Sequence, residues 1–261
     1  MRWLPITYEE ANSSYADLTV EEQVDLLEQD LKAHCEVIRD LSMTREAASH
    51  AEILAFSLLD ALGFIANPKQ KSGGGRRIRD FIENCIVIED CKRFSVPAML
   101  SALRRCDDES LHTLRCHCEE LFCKHWEPGT LPCIDIDLKE HEISGLIGVP
   151  TQHVRLRLSS GAPIELEKCK HSRLLAAKRN ALTHQLVNKG LRSISSDLGP
   201  HYIWYANDSG DNTPENWEII YPVKFLIELC SKGIAVACDH LRKNNIMPYP
   251  MLLSAAPWLA D

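Results

Sequence analysis

The stretch His171-Ser172-Arg173-Leu174-Leu175-Ala176-Ala177-Lys178-Arg179-Asn180-Ala181-Leu182-Thr183-His184-Gln185-Leu186-Val187 decides how this chain is read. Most of these residues are helix formers. On a 3.6-residue wheel started at Leu174, the side chains of Leu174, Leu175, Ala181, Leu182 and Leu186 fall between about 340° and 120°, a stripe that faces a core. Arg173, Asn180 and His184 cluster at about 240° to 280°, and Arg179 lies near about 140°. The helix therefore carries polar chemistry on both flanks of its buried face.

Asn180 and His184 are four apart, so the amide can hold the imidazole in one orientation. The planar fork of Arg179 suits a phosphate, and a histidine gives or takes a proton near neutral pH. Spacing alone is a weak signal, because Arg45 and His50 repeat it and surface helices often carry such residues unused. Three features distinguish the second pair. Asn180 follows Arg179, whereas the acid Glu46 follows Arg45, and the small residues Ala176, Ala177 and Ala181 leave room for another backbone or a ligand. Between Glu167 and Asp197 there is no acid, while Lys168, Lys170, Arg173, Lys178, Arg179, Lys189 and Arg192 are basic in a chain of net charge −8. One basic block in an acidic protein is a local site for a polyanion.

Arg179-Asn180-Ala181-Leu182-Thr183-His184 resembles the signature of the HEPN superfamily, in which an arginine and a polar residue, commonly asparagine, precede a histidine by a few positions. The resemblance covers the motif helix only, and Gln185 stands where glycine often follows the histidine. It implies a mainly α fold, an antiparallel helical bundle, here with extra helices and small β-hairpin insertions. It also implies a metal-independent endoribonuclease, with no cofactor, whose cleft forms where two copies bring their motif helices together. Arg179 would bind the scissile phosphate, His184 would transfer a proton and Asn180 would orient the site, with Arg173, Lys178 and Lys170 as the flanking RNA-binding cations. The implied partners are RNA, a second copy of the chain and a neutralising protein, and a toxin or defence role fits the family. The alternative is a non-catalytic HEPN-like helical module that binds a nucleotide, RNA or a protein partner through the same face.

With 261 residues, 45% of them hydrophobic, the chain has enough apolar material for one large domain. The first residues lack the apolar core and cleavage site of a signal peptide. The longest apolar run, Ala51 to Ala66, contains Glu52 and Asp60 and falls short of the ~20 residues that span a bilayer. A cytoplasmic protein is expected, with its eleven cysteines as reduced, mostly buried thiols.

Thr19 and Glu22 form a capping box that opens a helix over about 20 to 41, and a second helix runs from near Thr44 to Asn67-Pro68. The Gly-rich, basic segment 68–77 reads as a mobile connection, since it lacks the Walker spacing. Helical patterns resume from Ile78 and run to Trp126. Cys116, Cys118 and Cys123 sit on one of them, where core thiols are favoured over a zinc site. Residues 133–138 and 153–158 alternate apolar and charged, as half-buried strands do. The motif helix is expected over about 163 to 188 and a hairpin over 201–221, whose aromatics pack a strand pair rather than stack bases. A final helix over about 222 to 244 opens on Pro222.

Overall fold

The computed structural model describes residues 17–44, 47–68, 74–157, 163–185, 198–206 and 210–249, with the backbone only for 183–185. Helix α1, Val20–Ser42, starts as its capping box dictates: Thr19 Oγ1 accepts from the Glu22 amide at 3.3 Å, and Glu22 Oε2 accepts from the Thr19 amide at 2.8 Å. Its buried residues Val24, Leu27, Leu31, Cys35 and Ile38 follow the helical period. Helix α2, Ala48–Ala66, ends on Asn67, just before Pro68. The helix starts one turn later than the expected Thr44.

Helix α3, Gly74–Phe81, begins inside the segment expected to be a connection; residues 69–73 of that segment lie outside the described residues. It runs into a π turn, Ile82–Ile86, closed by Val87 at a left-handed φ of 51°. The last long helix, α8, Val223–Lys243, opens on Pro222 as expected. Helices α1, α2, α3 and α8 enclose a first core that includes Phe56, Leu59, Leu62, Phe81, Leu226 and Leu229. By length and composition α2 qualifies to cross a membrane. Here it packs against both α1 and α8, and its Glu52 and Asp60 are ion-paired.

A second core gathers α4 (Val96–Leu103), α5 (His112–His125) and α6 (Glu140–Ile147) under two short antiparallel hairpins. In one, β1 (Arg155–Leu156) pairs with β2 (Ile164–Glu165). In the other, β3 (His201–Trp204) pairs with β4 (Trp217–Ile220), in the interval expected for a hairpin. Trp126 fills this core, its ring against Phe122 and Tyr202. Ile219 packs against both cores. The mainly α reading therefore holds, with small β additions. Residues 133–138 form no strand: Ile134–Ile136 is a 3-10 turn, because Asp137 turns inward rather than to solvent and is buried.

All eleven cysteines are free thiols, and seven are buried. Burial pushes Cys91, Cys118 and Cys169 up to about 12, so these thiols stay protonated. Close packing in the first core sets one prediction. A Cβ added at Gly233 would lie 3.0 Å from Phe81 Cε1 and 3.1 Å from Leu62 Cδ1. Overpacking costs about 1–3 kcal/mol, and alanine's helix propensity returns about 1 kcal/mol. Gly233→Ala should thus lower the urea midpoint; an unchanged or raised midpoint would show that Phe81 yields freely.

Candidate functional site

The motif helix, α7, spans His171–Gln185. It starts eight residues later than the expected 163 because Ile164–Glu165 is taken up by β2 and Leu166–Cys169 forms a 3-10 turn. Of the predicted stripe, Leu175 and Leu182 are in the first core and Leu174 packs against it, while Leu186 lies outside the described residues.

The first residue of α7 is its anchor. The His171 amide donates to the Arg93 carbonyl at 2.9 Å, and the segment before it pairs with Phe94, which also pairs with Leu138. Its ring is buried, with Nε2 2.7 Å from Asp137 Oδ2 and Nδ1 2.8 Å from the Tyr221 hydroxyl. Asp137 also accepts from the Val96 amide at 2.8 Å and from the Tyr202 hydroxyl at 2.6 Å. With the ring proton on Nε2, His171 donates to Asp137 and accepts from Tyr221, so every group in this seam has a partner. Burial holds both tyrosines well above the usual phenol range, which keeps them as donors. Tyr202 belongs to the second core and Tyr221 to the first, so the seam fixes α7 against both.

Two turns further along, Arg179 and Asn180 meet α2 and α3. Arg179 Nη2 lies 3.5 Å from Asp60 Oδ2, and Arg77 Nη1 from α3 lies 3.1 Å from Asp60 Oδ1. Two guanidinium groups thus converge on one carboxylate, and the three charges leave a net positive. The Arg179 side chain is 18% exposed and that of Asp60 21%, so the cluster borders solvent. Arg179 Nη1 also donates to Asn180 Oδ1 at 3.3 Å. A Cβ at Gly75 would sit 2.7 Å from Asn180 Nδ2. Glycine at that position lets the amide rest on the first turn of α3. His184 follows one turn beyond Asn180, and its side chain lies outside the described residues.

The flanking cations are not a bare basic face. Lys178 Nζ is 2.7 Å from Glu52 Oε1, whose side chain is 3% exposed. Arg173 Nη1 is 3.4 Å from Glu165 Oε2, and Lys170 Nζ is 3.6 Å from both Glu140 and Glu167. Lys170 itself is only 9% exposed. The acids absent from this block in sequence arrive in space from α2, α6 and β2. Lys189 and Arg192 lie outside the described residues.

Asp60, Arg77, Asp137 and Tyr221 were not picked out as site residues by the sequence. For Asp60 and Glu52 a signal existed: two acids inside the most apolar run need buried partners, and the acid-free basic block supplies them. No such pattern marks Asp137. Among the described residues no three His, Cys, Asp or Glu side chains converge as metal ligands. Cys118 is buried in the second core, and Cys116 meets His112 at 3.4 Å. Compared with known proteins, the chain matches no family model, no curated sequence and no solved structure.

Proposed function

We propose that the chain is a HEPN-like endoribonuclease that cleaves RNA without a metal ion, as a homodimer with its motif helices face to face. The observation that supports this reading is the placement of Arg179 beside Arg77 at a solvent-bordering cluster, one turn before His184. Two oriented forks there suit a phosphate whose charge grows during attack. The 2′-hydroxyl passes its proton to His184, its oxygen bonds to phosphorus, and the bond to the 5′-oxygen breaks. That oxygen takes a proton from His184 of the partner subunit. The products are a 2′,3′-cyclic phosphate and a 5′-hydroxyl. A C2 dimer supplies both imidazoles from one sequence position.

The carboxylates beside Lys170, Arg173, Lys178 and Arg179 favour a second reading, a non-catalytic HEPN-like module that holds a phosphate-bearing ligand or a protein. RNA incubated in EDTA separates the two. The nuclease reading expects cleavage by the wild type and a loss of about 10²-fold or more in His184→Ala. Equal cleavage by both proteins, or none by a homogeneous dimer against varied RNAs, overturns it. Phosphate-ligand binding that survives His184→Ala and falls in Arg179→Ala establishes the second reading.

A further inference from the structure

Away from α7, a cleft of about 670 Å³ opens at the edge of the second core, within the size range of small-ligand sites. Leu111 and Val154, both buried, and the exposed Val149 give it an apolar wall. Arg155 and Arg157 stand on its rim, two residues apart on one side of an extended segment, with the buried Leu156 between them turned to the core.

These two arginines differ from the others. Every other described arginine lies beside a carboxylate or, for Arg115, donates to the Cys106 carbonyl. Among the described residues no carboxylate comes within ion-pair distance of Arg155 or Arg157. Glu165, opposite Arg155 across the β1–β2 pair, reaches Arg173 instead. Asp108 also lines the cleft; two bonds from Ser110 hold its carboxyl below the usual range, and the charge of Arg157 adds to them. Among the described residues the rim therefore carries two forks outside any ion pair and one carboxylate, a net positive charge against an apolar wall.

An apolar surface beside paired guanidinium groups and one acceptor matches a nucleoside phosphate: ring on the wall, phosphate on the forks, an amino or ring N–H to the carboxylate. We propose that this cleft is a nucleotide-binding site, filled by a free nucleotide or by an unpaired nucleotide of an RNA. None of its lining residues lies on α7, so the proposal stands apart from the nuclease reading.

The test is calorimetric titration of the full-length protein with AMP, with UMP and with a short single-stranded RNA, for the wild type, the double variant Arg155→Ala/Arg157→Ala, and Val149→Asp. All three positions are exposed, and circular dichroism checks that each variant folds. At least one mononucleotide should bind the wild type and weaken by about tenfold or more in the double variant, with a smaller loss in Val149→Asp. Its affinity should also fall as salt rises. Competition by the RNA identifies the ligand as an RNA nucleotide, and its absence identifies a free nucleotide; either supports the site. Failure of both mononucleotides to bind, or affinities equal in wild type and double variant, overturns it.

Discussion

Asp137→Ala is expected to lower the unfolding free energy by about 3–5 kcal/mol, the cost of breaking a buried charged network by deleting one member. The carboxyl and the His171 ring are both fully buried. Three donors converge on the carboxyl, from Val96, His171 and Tyr202, and alanine leaves the Val96 amide and the His171 ring without an acceptor, while the Tyr202 hydroxyl keeps Ser95 Oγ at 2.8 Å. Each buried orphan costs about 1–3 kcal/mol, partly relieved by relaxation. Tyr202→Phe removes one donor and leaves two, so its cost should be nearer about 1 kcal/mol. The seam also joins two cores. The three described tryptophans, Trp126, Trp204 and Trp217, lie in or against the second, while the long helices α1, α2 and α8 build the first. In Asp137→Ala, tryptophan fluorescence should therefore report an earlier urea transition than helical ellipticity, where the wild type shows them coincident. A loss below about 1 kcal/mol with coincident transitions would show that the carboxyl does not couple the cores.

The elements legible from residues alone were those whose causes are local. Thr19 and Glu22 announce the start of α1 because both partners of the capping box lie within one turn. Strands β3 and β4 fall in the expected interval because aromatic and β-branched runs flank a turn-rich segment. The Leu175 and Leu182 stripe follows from period alone. What was not legible depends on which element lies opposite. Alternation over 133–138 looks like a strand whose aspartates face water, yet Asp137 is held inside by donors from residues 96, 171 and 202. A basic block free of acids in sequence looks bare, and only the packing of α2 against α7 brings Glu52 and Asp60 to it.

That packing makes activity and stability separable at Arg179. The Arg179–Asp60 contact is long, at 3.5 Å, and about a fifth exposed; such pairs contribute about 1 kcal/mol or less. Arg179 also donates to Asn180, so Arg179→Ala should lower the unfolding free energy by about 1–2 kcal/mol. Under the nuclease reading, RNA cleavage should fall by about 10²–10³-fold, the usual cost of losing one donor to a developing oxyanion. Arg179→Lys keeps the charge but not the fork, so KM should recover while kcat stays low. Asp60→Asn distinguishes the two roles open to the carboxylate. If Asp60 holds the guanidinium in its working orientation, removing its charge lowers kcat by about tenfold or more, since small misplacements at a reacting centre are costly. KM should fall in the same variant, because the Asp60 carboxylate no longer competes with RNA for the two arginines. The contact is built as an orienting one, with Arg77 holding Asp60 and Asn180 accepting from the Arg179 fork, so the split in kcat and KM is the expected result. A rise in both kcat and affinity would instead make Asp60 a brake on the site.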